Sequence, residues 1–126
     1  MKFEFILTEN DITVDLTILK DLIGDDILSI KPFIELFITN MPRTIETLKN
    51  YYDQKDWENV YKTAHFTKSS VSVIKVESIY NASANIEIKA KNNTDLDSIK
   101  PLINFIEQQY NIAEKLLKTE VSKLNS

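Results

Sequence analysis

A single glycine, Gly24, and three prolines punctuate this chain, so long stretches run between them with apolar residues three and four positions apart. That spacing belongs to helices, and the scarcity of flexible turn residues argues against many tight hairpins. At 126 residues the chain has room for one domain, 1–126, and not for two of ordinary size. It holds no cysteine and one histidine, which excludes a disulfide framework, a thiolate metal site and a multi-histidine metal site.

The segment from Asp15 to Gly24 reads as a short helix, with Asp15 as N-cap and Gly24 as its stop. Asp25 or Asp26 opens a long helix to about Asp53, with Ile30, Phe33, Ile34, Phe37, Ile38, Met41, Ile45, Leu48 and Tyr52 as its apolar positions. Pro42 lies in its interior, but the apolar pattern resumes on the same face, which predicts a bend rather than an end. Asp56-Trp57-Glu58-Asn59 starts a third helix running to about Ile74, and a fourth spans about Val76 to Lys91. After a turn at Asn92–Asp95, the last helix runs from about Asp97 to Leu124, with Leu102, Ile103, Ile106, Tyr110, Ala113, Leu116 and Leu117 inward. The fold class expected is all-α: an antiparallel up-and-down four-helix bundle with a short extra N-terminal helix.

Net charge is −4, and the basic residues form no block or stripe, so nucleic acid is not an expected partner. One glycine cannot build a Walker or dinucleotide loop, so no ATP site is expected. Met1–Leu7 is apolar but broken by Glu4 and too short for a signal segment. No window reaches the roughly 18 apolar residues of a membrane span. The expected location is the cytoplasm, without membrane contact and as a monomer. A start methionine and a polar end, Ser122 to Ser126, suit a free-standing protein; a domain of a larger kinase would read much the same.

Attention then falls on His65. At about 100° per residue from Trp57, the residues Trp57, Val60, Ala64, Thr67, Val71 and Ile74 gather in one core-facing arc. His65 falls roughly 130° from the centre of that arc, flanked by Tyr61, Lys62, Lys68, Ser69 and Ser72. Small hydroxyl residues would let another protein approach the imidazole, and the lysines would offset phosphoryl charge. An imidazole nitrogen free of its proton at neutral pH is itself a phosphoryl acceptor. The ordinary reading of such a face is solvated surface that carries a histidine, and angle and charge permit the chemistry without establishing it. Thr67, on the core side, needs a backbone carbonyl for its hydroxyl.

The run Ala64-His65-Phe66-Thr67-Lys68-Ser69-Ser70 resembles the signature of histidine-containing phosphotransfer domains, Ala-His-x-Leu-Lys-Gly/Ser-Ser. Ile79, Ala82, Ile86 and Glu87 follow at the spacing of that family's next helix. Upstream, Val14–Leu19, Phe33–Phe37 and Asp56–Glu58 resemble its short first helix, its second helix and its pre-histidine turn. Thr67 replaces the usual leucine, and Lys75 stands where the family generally has glycine, so the turn into the fourth helix is expected to differ.

The resemblance implies a phosphorelay carrier of bacterial two-component systems. His65 would accept the phosphoryl group from a receiver-domain phosphoaspartate and pass it to another receiver, with Lys68 steadying it. Tyr61, Lys62, Phe66, Ser69 and Ser72 would form the docking face. No cofactor is expected on this chain, since Mg²⁺ would sit on the partner receiver. The partners implied are response-regulator receiver domains and a hybrid histidine kinase. The rival reading is a helical adaptor that binds a receiver or kinase without carrying phosphate. A di-metal bundle enzyme is disfavoured, because its histidines are missing and Glu35, Glu46 and Glu87 are spaced like solvated surface charges.

Overall fold

The two longest early helices begin where a carboxylate caps them. In the computed structural model, which describes residues 3–123, α1 spans Thr17–Ile23, α2 Ile27–Asp53, α3 Trp57–Ser70, α4 Glu77–Asn92 and α5 Ile99–Ser122. Asp26 accepts from the Leu28 N–H at the start of α2, and Asp56 accepts from the Asn59 N–H at the start of α3. These satisfy N–H groups that have no partner within their own helix. Asn93 closes α4 in the left-handed conformation, which asparagine tolerates (φ 54°). Around one core, α2 packs on α3, α3 on α4, α4 on α5 and α5 back on α2.

Pro42 does not interrupt α2. Lacking an N–H, it leaves the carbonyl of Ile38 without its usual donor four residues on. The structure supplies another: the Tyr110 hydroxyl, from α5, donates to the Ile38 carbonyl at 3.1 Å. Burial, then the Glu114 carboxylate, push the ionisation of Tyr110 upward, so it remains a donor. Its ring lies 5.9 Å from that of Phe37 and is almost wholly buried. Tyr110→Phe keeps the ring and removes the donor. It should cost about 1 kcal/mol, read as a drop of roughly 3–5 °C in thermal midpoint for a domain of this size. An unchanged midpoint would mean that water serves the carbonyl equally well.

The all-α expectation needs correction at the N-terminus. β1 (Ile6–Glu9) and β2 (Ile12–Asp15) form an antiparallel hairpin, and β3 (Lys75–Val76) adds to its far side in the order β1-β2-β3. The turn needs no glycine because Asn10 and Asp11 both take positive φ, 51° and 68°, the pair of angles a two-residue hairpin favours. Leu7, Ile12 and Val14 point inward and are buried, with the hairpin packed against α5. The Glu4 N–H is bound by the carboxylate of Glu120 at 2.9 Å.

Other boundaries shift for local reasons. Asp15 is not the N-cap of α1; Leu16 is, while the Asp15 carboxylate accepts from both the N–H and the hydroxyl of Thr17. α3 ends at Ser70 rather than near Ile74, because Lys75 and Val76 are drawn into pairing with β2, Val76 opposite Val14. This is how Lys75 takes the place where the family has glycine: its backbone is extended, so no left-handed angle is required. A short 3₁₀ turn, Leu96–Ser98, precedes α5 and displaces its start from Asp97 to Ile99. Met1, Lys2 and the expected helix end at Leu124 lie outside the described residues.

Candidate functional site

The core arc read from the sequence holds for Val60, Ala64, Thr67, Val71 and Ile74, all buried, while Trp57 is half-buried against Tyr52. Thr67 satisfies its hydroxyl by donating to the Thr63 carbonyl at 2.9 Å. His65 accordingly faces out, its side chain 59% exposed. α3 packs most extensively on α4. Ala64 and Thr67 on α3, with Ala82, Ser83 and Ala90 on α4, are the small buried residues of this pair, and they leave room for two helices to approach.

That approach brings Glu87 of α4 to the imidazole. Its Oε2 lies 2.5 Å from His65 Nδ1, and its Oε1 accepts from Lys68 Nζ at 3.0 Å. The Glu87 side chain is only 14% exposed, which overturns its reading as a solvated surface charge; Glu35 and Glu46 are exposed as expected. Burial pushes the Glu87 carboxyl up, but hydrogen bonds from Lys68 and His65 outweigh it and leave the group below its ordinary value. Lys68 is raised, chiefly by the same bond to Glu87. A carboxylate whose value is lowered on folding adds stability above the usual carboxylate range and loses it as pH falls through the lowered value. Glu87 thus stays ionised across the neutral range, where it only accepts hydrogen bonds.

An ionised acceptor at Nδ1 fixes the proton there. The neutral ring then presents Nε2 with a free lone pair, on the side away from Glu87. The geometry therefore brings together an exposed imidazole, a carboxylate at its Nδ1 and the Lys68 cation bound to the same carboxylate.

The remaining residues singled out from the sequence divide between two sides of α3. Tyr61 turns toward α4, where Lys91 Nζ lies 5.9 Å from its ring centre. Lys62 is exposed, pairs with Glu58 at 3.3 Å, and borders a shallow hollow shared with Arg43, Tyr51 and Asn59. Phe66, 56% exposed, lies between that hollow and an apolar groove of about 410 Å³. Ser69 borders the same groove, and its hydroxyl folds back to donate to the His65 carbonyl at 3.1 Å, so the outer surface stays low. Ser72 is exposed beyond the end of α3 and donates to the Ser69 carbonyl at 2.6 Å; it does not line the groove.

Sequence reading missed the far wall of this groove. Leu22, Phe33 and Leu36 line it from α1 and α2, exposed by 66%, 46% and 58%. Phe33 is among the apolar positions of α2, yet it stands on this open wall rather than in the core.

Comparison with known proteins decides the family. Residues 32–125 match the family model of the Hpt domain. This chain belongs to the Hpt domain family. Two solved structures share the Hpt fold with it. The histidine-containing phosphotransfer protein B (HptB) of Pseudomonas aeruginosa PAO1 aligns with a TM-score of 0.80 at 19% identity, over 87% of this chain and 95% of that one. The Hpt domain of a Shewanella sensor hybrid histidine kinase aligns with a TM-score of 0.71 at 18% identity, over 87% and 93%. No match was found among curated proteins. Membership assigns this Hpt domain a phosphotransfer role in two-component signalling, where Hpt domains act with receiver domains and hybrid kinases as carriers rather than as ATP-using enzymes. Among the described residues, no helix is long and apolar enough to cross a membrane.

Proposed function

We propose that this protein is a relay carrier, an up-and-down antiparallel four-helix bundle that takes a phosphoryl group on His65 Nε2 from a receiver phosphoaspartate and passes it to a second receiver. The observation that carries this reading is the Glu87–His65 contact: a neutral ring that donates from Nδ1 to Glu87 carries its lone pair on Nε2, on a side chain that is 59% exposed. In the forward step the Nε2 lone pair forms the N–P bond while the P–O bond to the aspartyl oxygen breaks, its electrons leaving with the carboxylate. The receiver and its Mg²⁺ supply the in-line geometry, and this chain supplies the nucleophile, the Lys68 cation and the docking surface.

Docking is assigned to Phe66 and Ser69 together with the apolar groove beside them, with Lys62 and Arg43 in the separate hollow that Phe66 also borders. The groove is walled in part by Phe66, Ser69 and Ser70 of the histidine helix, which supports a receiver docking beside His65. A helical adaptor without phosphate would need the groove but not the oriented imidazole.

The test is transfer from a phosphorylated receiver, with the product assayed for an acid-labile, base-stable N–P adduct. Binding without any label from cognate receivers would favour the adaptor, and an acid-stable product would move the acceptor away from His65. Lys68→Ala should slow transfer by about tenfold, the range of one charge-assisted contact to the phosphoryl group. Unchanged rates and adduct lifetime would remove Lys68 from the mechanism.

A further inference from the structure

Two depressions lie side by side where α2 meets α3. Thr44 and Phe66 border the apolar groove and also a second hollow of about 340 Å³. That hollow is rich in donors and lacks an anionic acceptor. Arg43, the one arginine of the chain, lines it together with Lys62. Among the described residues, no carboxylate lines it and Arg43 makes no ion pair. Lys62 reaches Glu58 at 3.3 Å, but both side chains are mostly exposed, a pairing worth little in water. Thr47, Tyr51 and Thr63 add hydroxyls to the lining that donate to no described residue. In a chain with 19 acidic and 15 basic side chains, a lone guanidinium left without a carboxylate points to an acid supplied from outside.

The transferred phosphoryl group is not that acid. Asn59, Lys62, Thr63 and Phe66 form the α3 side of the hollow, and at about 100° per residue His65 lies roughly 110° round the helix from their centre. An anion in the hollow is therefore a separate point of contact, carried by whatever covers the seam between the two helices. The planar fork of a guanidinium matches the two oxygens of a carboxylate, which on a protein partner means aspartate or glutamate.

We propose, on the basis that a receiver docks in the groove, that the hollow takes one aspartate or glutamate side chain of that receiver, with Arg43 as the fork and Lys62 as the second cation. The groove accepts any receiver with an apolar docking face, and the hollow discriminates among them. A receiver that carries lysine or an apolar side chain at this point would cover the guanidinium without pairing it and bind less well. Arg43 is thus a specificity-determining residue that acts on partner choice and not on the phosphoryl group.

The experiment takes a receiver domain that binds wild type and measures its affinity for Arg43→Gln, Arg43→Lys and Arg43→Glu. Arg43 is exposed and the first two replacements are good helix formers, so the fold should hold; thermal midpoints check this. Arg43→Gln should bind about tenfold more weakly, the range of one lost hydrogen bond to a charged group. Arg43→Lys keeps the charge without the fork and should fall between that variant and wild type. Each surface aspartate and glutamate of the receiver outside its own active site is then changed to lysine. One such change should weaken binding to wild type and restore part of the affinity for Arg43→Glu, and double-mutant cycles should couple Arg43 to that acid alone. Wild-type affinity in Arg43→Gln would overturn the proposal, while Leu36→Glu would still report whether the receiver sits in the groove. A loss that couples to no receiver acid would overturn it as well, because the fork would then meet something other than a carboxylate. Coupling to one acid with no label reaching His65 would sink the relay reading and leave the assignment of the hollow standing.

Discussion

His65→Gln should take up no phosphoryl group from any phosphorylated receiver while keeping its fold and its affinity for that receiver. The loss is expected to be complete, because the amide of glutamine has no lone pair basic enough to form the N–P bond. The fold should survive, because the side chain is 59% exposed and lies off the buried arc of α3. Glutamine can still donate to Glu87 in its place, so the change in stability should stay within about 0.5 kcal/mol. Two measurements check this: label transfer by the isolated protein, and its thermal midpoint. Label retained at wild-type rate would mean that another group is the acceptor, and no other histidine exists in the chain.

Leu36→Glu should have the next largest effect, through partner affinity. Leu36 is 58% exposed in the groove beside Phe66, so a carboxylate there costs the free protein little. In the complex it would be buried without a partner or would exclude the receiver. Loss of at least about 2 kcal/mol, roughly 30-fold in affinity, is expected, as for a contact at the centre of an interface. Ile88→Glu is the control, since Ile88 is 55% exposed on α4 and does not line the groove. Equal effects of the two changes, or none from Leu36→Glu, would place the receiver elsewhere.

The helices were legible because their signals are local. Asp26 and Asp56 stand one residue before α2 and α3, and the spacing of Ile30, Ile34, Phe37, Met41, Ile45 and Leu48 continues across Pro42. The hairpin was not legible by counting glycines, because Asn10 and Asp11 accept positive φ themselves. The signal lay in that pair, between two short runs that alternate buried and exposed residues. The groove escaped notice for a different reason: spacing shows which residues share a face, but not whether a neighbouring helix covers it. Leu22 and Phe33 look like core until the gap beside them is seen. Glu87 lies 22 residues beyond His65 and on another helix. No periodicity within α3 could reveal it; only its place in the family spacing pointed there.

The pairing of β3 with β2 carries a consequence for how this domain can be cut. The family match begins at residue 32, whereas the strand that pairs with Lys75 and Val76 lies at Ile12–Asp15. The junction between the histidine helix and the helix that carries Glu87 is therefore splinted by chain outside the matched region. A fragment trimmed to the family boundary would keep both residues and the packing of α3 on α4 that brings them together, while shedding the strand that pairs with the link between those two helices.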